Sequence, residues 1–174
     1  VSYDHKEDLQ YLEHFKAEKI EVSPVLDPKA DPEEYKPYNL YCNTLLEQVQ
    51  QGWILILDDD NKLYNQKSLK ILAKEISKAD EDTLLIFQTS YPNGSRIPED
   101  IYFKKQSIEK YHIDTACVVF HSKYKSAAKW DSWRTADYRF IRDLAKAIPK
   151  QNWIKRSLTY KFNFGDLGRR NDIY

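Results

Sequence analysis

At 174 residues the chain has the length of one domain and is long enough to bury a core of its own. Lysine plus arginine equal aspartate plus glutamate at 27 each, so no overall field draws in nucleic acid or an anionic membrane, and any affinity has to be local. Aromatic residues make up 14% of the chain, which suits a surface that handles sugars as well as it suits an ordinary core, so composition alone does not separate the two.

In chain order, Val1 to Asp4 reads as the tail of a strand that runs into a loop, followed at once by the helical spacing of Leu9, Leu12 and Phe15. No strand precedes it, so a first strand is expected to be missing and the chain to be part of a longer protein. Ile20 to Val25 reads as a strand, and 27–37, with three prolines and several charges, as an exposed loop. Residues 39–51 form a helix pattern carrying Leu40, Leu45, Leu46 and Val49, which delivers the chain into Trp53 to Leu57. That five-residue apolar run, bounded by Gly52, has the look of a central parallel strand covered on both faces. Helical spacing returns over 66–78 with Leu69, Ile71, Leu72 and Ile76, and Thr83 to Gln88 is again an apolar strand. Tyr91 to Ser95 is a turn, with strands expected at Ile101 to Phe103 and Asp114 to His121. A helix over 136–148 places Phe140, Ile141, Leu144 and Ile148 on one face, and the last strands run from about Trp153 to Phe164. The alternation predicts an α/β domain spanning 1–174, with a doubly wound, mostly parallel sheet and helices on both faces.

Asp58, Asp59 and Asp60 follow the Trp53 strand directly. Ligands of open parallel sheets bind outside the carboxyl ends of the strands, so these acids are placed to project into a crevice. Adjacent carboxylates repel one another unless a cation lies between them, and hard ions such as Mn²⁺ or Mg²⁺ are commonly held by one or two carboxylates and a substrate phosphate. A solvated turn with Asn61 as a helix cap is the plain structural alternative.

Several common tenants of such a sheet are absent. There is no GxGxxG after the first strand, no GxxxxGK[ST] and no GxSxG, so a bound diphosphate would need the cation at the aspartates. The four histidines show no ligand spacing, and only His121, at a strand end, is a site candidate. Cys42 and Cys117 form no CxxC pair, which points to a reducing compartment. No run of 18 apolar residues and no secretory leader is seen, so the expected location is the cytoplasm, including the inner face of a membrane.

Taken together, Tyr3-Asp4, Asn43 in the helix ahead of the Trp-Ile-Leu-Ile-Leu strand, Asp58-Asp59-Asp60-Asn61, and Asp137 within Thr-Ala-Asp-Tyr-Arg-Phe resemble a nucleotide-sugar-dependent glycosyltransferase of the GT-A fold. The order of elements is similar to that of the family 2-like inverting enzymes, and the acid motif also resembles that of the eukaryotic glucuronosyltransferases. The resemblance implies a nucleoside-diphosphate sugar, with UDP foremost, as donor and a glycan or other hydroxyl as acceptor. It implies that Tyr3 and Asp4 form the nucleotide loop, with Asp4 accepting from the uracil N3–H. Asp58 then lies near ribose and metal, Asp59 touches ribose or sugar, and Asp60 is the direct ligand of Mn²⁺ or Mg²⁺. Asp137 becomes the general base, kept ionised by the dipole at the start of its helix. Donor contacts and base are expected on separate halves of the sheet.

The chemistry needs those roles. A metal stabilises the departing diphosphate, and a carboxylate within reach of the attacking hydroxyl takes its proton. Trp130 and Trp133 could floor the acceptor site, since indole faces stack on sugar rings, although either could equally plug the core. Asp131 is the second candidate base, and Arg96, Arg169 and Arg170 are candidate diphosphate partners. Two other functions stay open: a sugar nucleotidyltransferase on a similar sheet, and a non-catalytic GT-A-like binding domain.

Overall fold

The computed structural model describes residues 1–3, 6–23, 27, 29–31 and 33–162. Two sheets are present among them. The smaller pairs β1 (Ser2–Tyr3) with β2 (Ile20–Glu21) in parallel, linked by α1 (Asp8–Leu12). The larger contains β3 (Trp53–Leu55), β4 (Asn61–Leu63), β5 (Thr83–Ser90), β6 (Arg96–Ile97), β7 (Val118–His121) and β8 (Lys150–Lys161), in the order β3-β7-β5-β8-β4 with β6 beside β5. Its helices are α2 (Leu40–Gln48), α3 (Ser68–Ile76), α4 (Asp100–Lys105) and α5 (Ala136–Ala147).

The α/β class holds, and the sheet is mixed rather than mostly parallel. Only β5 and β8 pair in parallel; β7 lies antiparallel between β3 and β5, and β4 antiparallel on β8. Because β3 and β5 each oppose β7, they run in the same direction, and β8 runs with them. Their carboxyl ends therefore share one edge of the sheet. The start of β7 meets that edge from the opposite direction.

The centre of the sheet is β5, seven of whose eight residues are buried. Its alternation divides the core: Leu84 and Ile86 pack with Leu46 of α2 and with Phe140, Ile141 and Leu144 of α5, while Leu85 and Phe87 pack with Leu72 of α3. Helices thus cover both faces. Each fully buried aliphatic side chain here contributes about 1.5–3 kcal/mol through removal from water. The Trp53 strand, expected at the centre, is instead the edge strand of the described sheet. Only Ile54 in it is buried, and Trp53 packs edge-on against His121 with ring centres 5.6 Å apart.

Two further local readings are corrected. Ile101 to Phe103 is helix, not strand: in a strand the two would share one face, whereas here an exposed Ile101 and a buried Phe103 lie on opposite sides of α4. Asp100 in the first turn and Lys104 and Lys105 in the last complement the helix dipole. Asp114 to His121 is strand only from Val118, because Asp114 caps a 3-10 turn over Thr115–Cys117. The short strand β4, directly after the acids, had no signal in the sequence.

Candidate functional site

The acid loop is tied to the end of β8. In the β4–β8 ladder Asn61 stands opposite Lys161 and Leu63 opposite Thr159, and Phe162 N donates to Asp60 O at 2.9 Å. This register carries Lys161 to Asp58 and Asp60, at 3.9 and 3.8 Å from its Nζ. Lys161 is buried on the same side of the strand as Thr159. Its firm partner is Asp114, whose Oδ2 accepts from Nζ at 2.8 Å while Oδ1 accepts from Ala116 N at 3.0 Å. Asp114, Asp58 and Asp60, brought from the start of β7 and the end of β3, surround one ammonium.

Asp137 completes the group from the first turn of α5, and Trp130 Nε1 donates to its Oδ1 at 3.1 Å. That loop is pinned to α2 by Asn43, whose Nδ2 donates to Trp130 O at 2.8 Å while its Oδ1 accepts from Trp130 N at 2.9 Å.

Charge at this edge is unbalanced. Burial, then Asp114 and Asp137, raise Asp58 to about 7 against the opposing pull of Lys161. Burial and Asp114 raise Asp137 to about 6, although Trp130 and Lys161 act the other way. The helix dipole therefore does not decide the state of Asp137; enclosure and its acidic neighbours do. Asp60 is raised as well, chiefly by burial. Lys161 shows the converse: burial alone would lower it, but Asp114, Asp58 and Asp60 hold it well above an ordinary lysine. The Asp58 side chain is 40% exposed, so solvent reaches the group as well as its acidic neighbours. Tyr38 stands over the same charges, its hydroxyl pushed up by burial, Asp137 and Asp58. Donor acids and candidate base thus form one electrostatic unit rather than two separate halves.

The donor set matches a hard cation in kind. Carboxylate oxygens of Asp58 and Asp60 lie beside the Asn61 amide, whose Nδ2 donates to Asp60 Oδ1 at 2.9 Å and whose Oδ1 is buried without a hydrogen-bond partner. Asp60 and Asp58 are the residues that would hold such an ion; Asn61 turns its Nδ2, not its Oδ1, toward both carboxylates, at 2.9 and 3.4 Å. Among the described residues no three acidic, histidine or cysteine side chains are arranged as its ligands.

The other sequence candidates are dispersed. Asp59 is exposed beside the cluster. Tyr3 lies in the small two-stranded sheet, and Asp4, Arg169 and Arg170 fall outside the described residues. Trp130 is buried and stacks on Phe140 with ring centres 3.3 Å apart, so its faces belong to the core. Trp133 is 49% exposed. Asp131 is forked by Arg139 at 2.5 Å to each oxygen, and that bond holds its carboxyl below the usual range, a poor state for a base. His121 accepts from Lys123 N and lies 3.6 Å from Glu81, at the far edge of the sheet, and Arg96 is exposed on β6.

Sequence reasoning missed Asp114, Lys161 and Tyr38. Asp114 had a signal: an acid heading the apolar run Thr115 to Phe120 is seldom left without a partner. Lys161 had none, because its place depends on the β4–β8 register. No protein-family model matches the chain, and no curated protein matches it.

Proposed function

We propose that the chain is a GT-A-like glycosyltransferase domain that moves a sugar from a nucleoside diphosphate, UDP being the first to test, to a hydroxyl acceptor with inversion. The observation that carries this reading is the meeting of Asp58, Asp60 and Asp137 at one edge of the sheet. It is supported by the common direction of β3, β5 and β8, which brings their carboxyl ends to that edge. Asp60 and Asp58 would hold Mn²⁺ or Mg²⁺, which would supply a Lewis acid for the departing diphosphate. Asp137 is the base: as the acceptor oxygen bonds to the anomeric carbon and the bond to the diphosphate breaks, the hydroxyl proton passes to its carboxylate. A carboxyl near 6 is ionised for most of the time at neutral pH and still basic enough to take that proton. Trp130 orients it through the indole N–H.

Lys161 favours a second reading. An ammonium already bonded within the acids supplies a cation of its own, which suits a domain that keeps the fold for binding without transfer. Calorimetry with UDP, with and without Mn²⁺, followed by a transfer assay, separates the two. Metal-dependent binding that is lost in Asp60→Asn, together with transfer reduced about 10²–10⁴-fold in Asp137→Asn, supports the transferase. No nucleotide binding under either condition overturns it and leaves the binding domain. Donor affinity in Asp137→Asn should rise modestly, because removing that charge relieves Asp58.

A further inference from the structure

We infer that the cavity at the start of α5, floored by Trp133, binds a sugar that carries an anionic group; this rests on the transferase reading, in which the sugar belongs to the acceptor. The cavity has a volume of about 240 Å³ and is lined by Trp133, Tyr111 and Thr135 together with Lys110, Arg134, Arg139 and one acid, Glu34. Three features make it more than a surface dip.

The first is the aromatic floor. Trp133 and Tyr111 are 49% and 64% exposed, and Tyr35 meets the Trp133 ring edge-on at 5.5 Å, so the indole is fixed in place while one face stays open. Such a face stacks on the C–H side of a pyranose. The second is fixed backbone. Tyr111 and Thr135 both take left-handed conformations, at φ 69° and 62°, which a β-branched residue such as threonine adopts only when its surroundings impose it. Arg139 imposes it here, through bonds to Thr135 Oγ1 at 3.2 Å and to the carbonyls of Arg134 and Trp133 at 3.0 and 3.1 Å. Pairing of the 34–36 segment with the 132–134 loop adds Arg134 N to Glu34 O at 2.7 Å and Lys36 N to Ser132 O at 2.6 Å.

The third is the charge. Arg139 is committed to Asp131, and Arg134 reaches Glu34 only at 3.9 Å with both side chains more than half exposed. Lys110 rests over its neighbour Tyr111, 4.9 Å from the ring centre, with no carboxylate partner among the described residues. With Arg139 paired to Asp131, one loosely held arginine and one available lysine still outnumber the single Glu34 carboxylate beside the indole, which suits a carboxylate or phosphate on a sugar ring. Thr135 is two residues from Asp137 in sequence, and in the transferase reading a sugar seated here would be part of the acceptor.

The test measures binding of three probes to the full chain by calorimetry or ligand-observed NMR: a glucuronic-acid-terminated disaccharide, its glucose-terminated counterpart, and the 6-phosphorylated counterpart. An acidic probe should bind about tenfold more tightly than the neutral one, as one charge-assisted hydrogen bond allows. The tighter of the two acidic probes tells carboxylate from phosphate. Lys110→Gln with Arg134→Gln should erase the difference, and Trp133→Ala should weaken all three probes while UDP binding stays unchanged. Equal binding of neutral and acidic probes overturns the inference even if UDP binds with Mn²⁺. A preference for the acidic probe in a chain that binds no nucleotide supports the sugar site and overturns the transferase reading alone.

Discussion

The two edges of the larger sheet use the same residue types to opposite ends. Where β5 and β8 begin, Asp82 accepts from Lys123 at 2.7 Å and from Tyr124 Oη at 2.6 Å, and Asp80 pairs with Lys150. Each acid has its own cation, and those bonds hold Asp80 and Asp82 below the usual carboxylate range. Where β3, β5 and β8 end, Asp58, Asp60, Asp114 and Asp137 gather around the one ammonium of Lys161 among the described residues, and Asp58, Asp60 and Asp137 are shifted upward. A matched edge relaxes as it folds. The other edge stays short of positive charge, and that deficit is what a cationic ligand can relieve.

Removing a lysine from each edge tests this contrast most strongly. Lys161→Met leaves Asp114 buried without its partner, which costs about 3–5 kcal/mol for breaking a buried pair. Urea unfolding at pH 8 should show that loss, and part of it should return at pH 5, where Asp58 and Asp137 take up protons and no longer repel the remaining acids. Lys150→Met, at the exposed edge, should change far less at either pH. Equal losses from the two variants would show that the cleft is no more strained than the surface.

How much of this was legible in the sequence depends on whether a residue's partner lies close in the chain. The α/β class, the buried strand over Thr83 to Gln88 and the helix that presents Phe140, Ile141 and Leu144 follow from local periodicity, which packing on both faces of β5 preserves. The acids after Trp53 were visible as a run. Their cation was not, because Lys161 is 101 to 103 positions further on and arrives only through β4, a three-residue strand whose Asn-Lys-Leu has no strand signature. The insertion of β7 antiparallel between β3 and β5 is a choice of pairing, and Val118 to His121 would read the same in either direction. Trp130 and Trp133 differ by three positions and had equal claims as acceptor platforms. Phe140 stacks on the ring of the first, whereas the second meets Tyr35 edge-on and stays half exposed, a distinction made by tertiary contacts.

A moderate effect is expected from Asp58→Asn. Asp58 has its carboxyl raised to about 7 in the fold from an unfolded value near 3.8. A raised carboxyl contributes its full stability below the unfolded value, and that contribution is lost as pH climbs through the folded one. Between about pH 4 and 7 the wild-type chain should therefore lose stability at this residue, whereas asparagine, which does not ionise, should not. Thermal unfolding should find the variant more stable than wild type at pH 8 and indistinguishable from it at pH 4. A variant less stable at pH 8 would mean that Lys161 outweighs the acidic neighbours. In that case the cleft carries no deficit for a ligand to fill.

The smallest effect belongs to Lys123→Met, at the matched edge. Lys123 and Asp82 are bonded at 2.7 Å, but their side chains are 50% and 40% exposed, so water competes for both charges and dissolved ions screen them. Asp82 also keeps Tyr124 as a donor, which leaves its carboxylate hydrogen-bonded after the lysine is gone. The variant should unfold at nearly the wild-type midpoint in low salt. Even that small difference should vanish near physiological ionic strength, where the screening length is about 8 Å. Lys161→Met should keep most of its deficit in the same salt series, because the Lys161 and Asp114 side chains are only 9% and 8% exposed and ions do not reach between them. Salt thus separates the two edges without any ligand. A Lys161→Met deficit that fell with salt as fast as the Lys123→Met one would place the Asp114 pair in solvent and remove the physical basis for a charged cleft.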